Sequence, residues 1–100
     1  MDKIKIGHHN YAVLLNAKSL EYEGDIARGL CLPETKEILV SEKITNEGMQ
    51  KEILMHEIVH GIFHEASVEQ NEEHVERISK VMHGFLQDNI NALSKMYSNK

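Results

Sequence analysis

Residues 53–63 read Ile-Leu-Met-His-Glu-Ile-Val-His-Gly-Ile-Phe. No other run limits the folds open to this chain as much. Met49, Ile53, Leu54, Met55, Ile58, Val59, Ile62 and Phe63 recur at helical spacing and surround most of the axis. A helix apolar nearly all round has neighbours on most sides, so a buried helix over about residues 46–64 is expected. Thr45 or Asn46 supplies the N-cap, and Glu47 sits where the helix dipole favours negative charge. The same helix carries two histidines and a glutamate, and buried polar groups without partners are costly. The fold must therefore give them partners.

Their spacing says which. His56-Glu57-Ile58-Val59-His60 is an H-E-x-x-H. A helix turns about 100° per residue, so His56 and His60 point the same way, one turn apart. Two imidazoles on one face can hold one metal ion. Glu57 lies on the adjoining face, placed to take a proton from a metal-activated water without ligating the metal. That division of labour is the one zinc peptidases use.

A catalytic zinc has three protein ligands and one open position. His64 continues the i, i+4 series but lies about 12 Å of rise from His56, too far to share an ion with it. A third histidine in the pattern H-E-x-x-H-x-x-G-x-x-H would fall on Ala66, which excludes that class. A second helix is expected over about residues 71–89, with Val75, Ile78, Met82 and Phe85 as its inward stripe. Its first turn offers Glu72, Glu73 and Glu76. Glu72 stands three residues before Val75 and points to the same side. Glu76, four residues on, can brace a ligand from behind. Glu73 falls nearer the solvent edge. The expected site is His56, His60 and Glu72 on one Zn2+, with Glu57 as base and Glu76 as a supporting residue.

The rest of the chain reads as β-structure followed by these helices. Ile4 and Ile6 alternate like a short strand, and Gly7-His8-His9-Asn10 interrupts it. Residues 11–15 fit either a helix start or a second strand. Residues 16–29 are polar, with Gly24-Asp25 as a turn signal. Apolar flanks around Pro33-Glu34-Thr35-Lys36 predict a β-hairpin over 26–32 and 36–41. Residues 65–70 form a polar connector. Residues 90–97 either extend the second helix or form a short last one, and residues 98–100 are expected to fray. The expected class is α+β: a small antiparallel sheet packed on two long helices, in one domain spanning 1–100.

Composition narrows the function classes. A net charge of −5 gives no footprint for nucleic acid. No stretch approaches the roughly 20 apolar residues of a membrane span, and the first residues lack a signal-peptide core, so a soluble cytoplasmic protein is expected. Cys31 is the single cysteine, which rules out an internal disulfide and reads as a small core residue. His8 and His9 read as loop residues. His74 and His83 read as solvated positions on the second helix, and His64 as a surface residue or a support behind the ligands.

His56-Glu-Ile-Val-His-Gly-Ile-Phe, a short polar connector and Asn71-Glu-Glu-His-Val-Glu-Arg-Ile-Ser together resemble the small zincins of phages and mobile elements, the ImmA/IrrE-like metallopeptidase group. The preceding hairpin with Glu37-Ile-Leu-Val-Ser also fits. The resemblance spans roughly residues 26–90 and is most specific over 53–79. It implies a minimal zincin-like fold and a zinc-dependent endopeptidase acting on a protein substrate; a repressor-type regulator is a candidate partner outside what the resemblance implies. Glu72-x-x-Val75-Glu76 is similar to the third-ligand pattern of Glu-zincins, with Glu76 where Asp or Asn is usual. The competing reading is a non-catalytic, zinc-stabilised module that binds a partner. Glu57 separates the two, because a purely structural site needs no carboxylate beside its first histidine and is normally closed by a fourth protein ligand.

Overall fold

In the computed structural model, which describes residues 3–98, six strands precede two helices. β1 (Lys3–Ile6) and β2 (His9–Ala17) form a hairpin in which Ile6 pairs with His9. The turn between them places Gly7 at φ 63°, the left-handed conformation that glycine adopts without strain. Residues 11–15 therefore belong to a strand. Tyr11, Val13 and Ala17 point into the core while Ala12, Leu14 and Asn16 face solvent, the period of two that a half-buried strand requires. The polar stretch after β2 holds a small second sheet, β3 (Glu21–Tyr22) with β4 (Asp25–Ile26). Its turn, Glu23-Gly24, has positive φ at both residues, as a type I′ hairpin demands.

β5 (Gly29–Leu32) and β6 (Glu37–Ser41) form the expected hairpin, shorter at its start than the predicted 26–32 because residues 25–26 pair with β3 instead. The main sheet runs β1-β2-β6-β5. The α+β class stands, and one detail differs from the expectation: β6 lies parallel to β2, so the sheet is mixed. Both hairpins are locally antiparallel, as the turns dictate. The parallel contact arises where they dock side by side, with Ala12 donating to the Lys36 carbonyl at 2.9 Å and Glu42 to that of Ala17 at 2.8 Å.

α1 (Glu47–Glu65) is capped by Asn46, whose side chain accepts from the Met49 amide. α2 (Glu72–Tyr97) is capped in the same way by Asn71, and it continues unbroken through residues 90–97. Ser98 ends it, and residues 99–100 lie outside the described chain. α1 covers one sheet face: Leu54, Ile58 and Ile62 pack onto Ile6, Tyr11, Val13 and Ile38. Gly61 allows the contact, since a Cβ there would stand 2.8 Å from Ile6 Cδ1. Cys31 packs beside this core, as expected.

Two expectations about burial change. Only Glu57, Val59 and Gly61 of α1 are fully buried, because the sheet and α2 cover two flanks and leave a third open. On α2 the buried residues are Val75 and Ser79, whereas Ile78 and Phe85 are 40% and 51% exposed. The inward face thus runs through 72, 75, 79 and 82, and a serine stands where an apolar residue was expected. Ser79 keeps its hydroxyl satisfied by donating to the Glu76 carbonyl at 3.0 Å. Val59 and Val75 are both buried, and each contributes about 1.5–3 kcal/mol by leaving water. Among the described residues no helix is long and apolar enough to cross a membrane.

Candidate metal centre

The two helices form an antiparallel pair joined by residues 66–71, which returns the start of α2 to the middle of α1. His56 and His60 project from α1 with ring centroids 5.0 Å apart. Glu72, in the first turn of α2, faces both. Its Oε2 lies 2.9 Å from His56 Nε2 and its Oε1 3.0 Å from His60 Nε2. One donor atom from each of the three residues falls within 4.8 Å of the others. The three carboxylates of that first turn take different positions. Glu72 meets the histidines. Glu76 Oε1 stands 3.1 Å from His56 Nδ1, behind the ring. Glu73 turns to solvent and pairs with Arg77 at 2.7 Å.

The donor set fits zinc. Bonds of about 2.0–2.1 Å in a tetrahedron hold neighbouring ligand atoms roughly 3.3 Å apart, and the three donors here lie within 4.8 Å of one another. Two imidazoles and a carboxylate are also the chemistry zinc takes in hydrolytic sites. Stability alone gives no reason for the cluster. The Glu72 side chain is 72% exposed, and ion pairs that exposed contribute about 0–1 kcal/mol.

Glu57 belongs to the site without joining the three donors. It is 8% exposed, set against the first residue of β5. Gly29 permits this, since a Cβ there would lie 2.6 Å from Ile53 Cγ2 and 3.2 Å from both Cγ and Oε2 of Glu57. Burial pushes the Glu57 carboxyl above its ordinary range against the pull of His56 and His60, and Glu72 adds to the rise. A carboxylate shifted this way is a better proton acceptor near neutral pH. In front of it opens a cleft of about 530 Å³ between Arg28–Gly29 on one side and Ser79, Lys80 and His83 on the other.

The remaining candidates separate cleanly. His64 and His74 are exposed. His83, expected to be solvated, is half-buried and lines the cleft. His9 stands away from the cleft, its Nδ1 2.9 Å from Glu65 Oε1. Burial, with a lesser contribution from Glu57, pushes the Cys31 thiol up to about 12, so it is inert as a nucleophile. Three contributors escaped the sequence reading: Gly29, Ser79 and Gln70. Gln70 lies in the connector with Oε1 2.8 Å from His60 Nδ1, while its Nε2 donates to the His60 carbonyl at 2.9 Å. Its place two residues before Glu72 was the available signal.

Comparison with protein-family models, characterised proteins and solved structures finds no match to this chain.

Proposed function

We propose that this protein is a zinc-dependent endopeptidase. One observation carries the reading: His56, His60 and Glu72 converge, while Glu57, one residue from a donor, stays out of the trio and is held against Gly29 at the cleft wall. When bound, zinc supplies a Lewis acid that polarises a scissile carbonyl and acidifies water. The chain's own residues do the rest. Glu57 takes the proton from the attacking water and hands it to the leaving amine, which requires a base fixed on a rigid element. Glu76 holds His56 from behind, and Gly29 sets how closely β5 approaches Glu57. The substrate class is a protein, with a repressor-type regulator as a candidate.

The competing reading, a zinc-stabilised partner-binding module, needs a fourth protein ligand in place of an open position. Among the described residues the candidate group has three members, and Cys31 lies in the core beneath.

Elemental analysis of purified protein should find one zinc per chain, lost in His60→Ala and in Glu72→Ala but kept in Glu73→Ala. Glu57→Gln should keep the zinc and the thermal stability. Its cleavage of a substrate, found by incubating the zinc-loaded protein with host or mobile-element proteins, should fall on the order of 10²–10⁴-fold. Equal cleavage by wild type and Glu57→Gln would remove the mechanism, and cleavage by neither would favour the module.

A further inference from the structure

Gln70 grips His60 at two points, and the pair of contacts determines more than either alone. The His60 carbonyl oxygen can only accept a hydrogen bond. The end of the Gln70 side chain 2.9 Å from it must therefore be the amide nitrogen. That leaves the amide oxygen at the other end, 2.8 Å from His60 Nδ1. An amide oxygen also can only accept, so Nδ1 carries the proton. Nε2, 3.0 Å from the acceptor-only Glu72 carboxylate, is then the nitrogen whose lone pair a metal ion among the three donors would take, in place of the proton that this contact needs without one.

We infer that Gln70 is a positioning residue for the metal: it fixes both the ring orientation and the tautomer in which His60 presents Nε2. The inference rests on the zinc reading above and deepens it. Ligating histidines elsewhere depend on such an acceptor at the far nitrogen, and losing it typically weakens metal binding 10–100-fold. Glu76 does for His56, from α2, what Gln70 does for His60 from the connector. Both imidazoles are thereby turned to meet Glu72 with the same nitrogen.

A merely structural role is the alternative, since the Gln70–carbonyl bond also ties the connector to α1. Two substitutions in this exposed connector separate the possibilities. Gln70→Met keeps the length and removes both bonds. Gln70→Glu keeps an acceptor for Nδ1–H and loses the donor to the carbonyl. Zinc affinity, measured by competition with a chromophoric chelator, should fall about 10–100-fold in Gln70→Met. It should return to within a few-fold of wild type in Gln70→Glu. Nitrogen-15 spectra of the zinc-loaded wild type should show metal on His60 Nε2 and a slowly exchanging proton on Nδ1, with that proton exchanging fast in Gln70→Met. Wild-type affinity in Gln70→Met, or Gln70→Glu as weak as Gln70→Met, would overturn the inference and leave the zinc reading intact. A wild type that takes up no zinc would sink both, a result distinct from either of these.

Discussion

At the scale of single residues, Glu65 shows how a carboxylate can hold a fold together outside the candidate site. It ends α1 and accepts from Tyr11 Oη at 2.7 Å and from Lys36 Nζ at 3.0 Å, with His9 Nδ1 at 2.9 Å. Lys36 reaches it because it closes the β5–β6 turn at φ 60°. The bonds from Tyr11, then Lys36 and His9, hold the Glu65 carboxyl down to about 2. The same contact, after burial itself, raises the Tyr11 hydroxyl above its ordinary value. A depressed folded-state value means that the unfolded chain binds the proton first as pH falls. The stabilisation is therefore complete above about pH 4.5, where an unfolded carboxylate is ionised, and is lost on the way down to about pH 2. Glu65→Gln should flatten the pH dependence of the urea midpoint in that window and lower the midpoint at pH 7. A variant that loses midpoint between pH 4.5 and 2 as steeply as wild type would refute the assignment.

At the scale of elements, the contact between β5 and α1 decides how well the proposed base is placed. Gly29→Ala puts a methyl group 2.6 Å from Ile53 Cγ2. That side chain is β-branched and sits on a helix, so it has little rotamer freedom to yield. The strand must move instead, at about 1–3 kcal/mol, the usual cost of overpacking. The expected result is a lower thermal midpoint and slower cleavage with zinc content unchanged, since the nearest neighbours of that methyl are Ile53 and Glu57. An unaltered midpoint would mean the strand has more room than its geometry implies. None of this was legible in the sequence, where Gly29 falls in the expected strand 26–32 with nothing to mark a close approach to the helix. What was legible followed from local rules. The Asn46 cap, the β5–β6 turn and the i, i+4 pair in α1 each depend on residues within a few positions of one another. The parallel docking of β6 on β2 depends on residues far apart and leaves no periodic mark. The inward face of α2 was misjudged at Ser79, because a hydroxyl satisfied by its own helix packs like an apolar residue yet reads as polar. Glu72 was still found because its offset from Val75 does not depend on that position.

At the scale of the whole molecule, the site has two unequal parts. His56 and Glu72 are 16 positions apart, so the proposed metal ties a single turn-back of chain between the helices. A link across so few residues constrains only that turn-back, and each doubling of length would add about 0.6 kcal/mol. Zinc should accordingly fasten α2 to α1 and do little for the sheet, whose core is built from Ile6, Tyr11, Val13 and Ile38. Hydrogen exchange with and without a chelator tests this. Amides in the first turns of α2 should exchange faster when the metal is withdrawn, while those of β2 and β6 hold their rates. Equal acceleration in the sheet would show the metal supporting the whole fold. The wall at Glu57, by contrast, is closed only when β5, from the other half of the chain, lies along α1. On the proposed reading, capturing zinc is a property of one helical hairpin, and hydrolysis a property of the completed topology. A chain whose edge strand has slipped would act as a zinc buffer, and proteolytic competence would itself report correct folding.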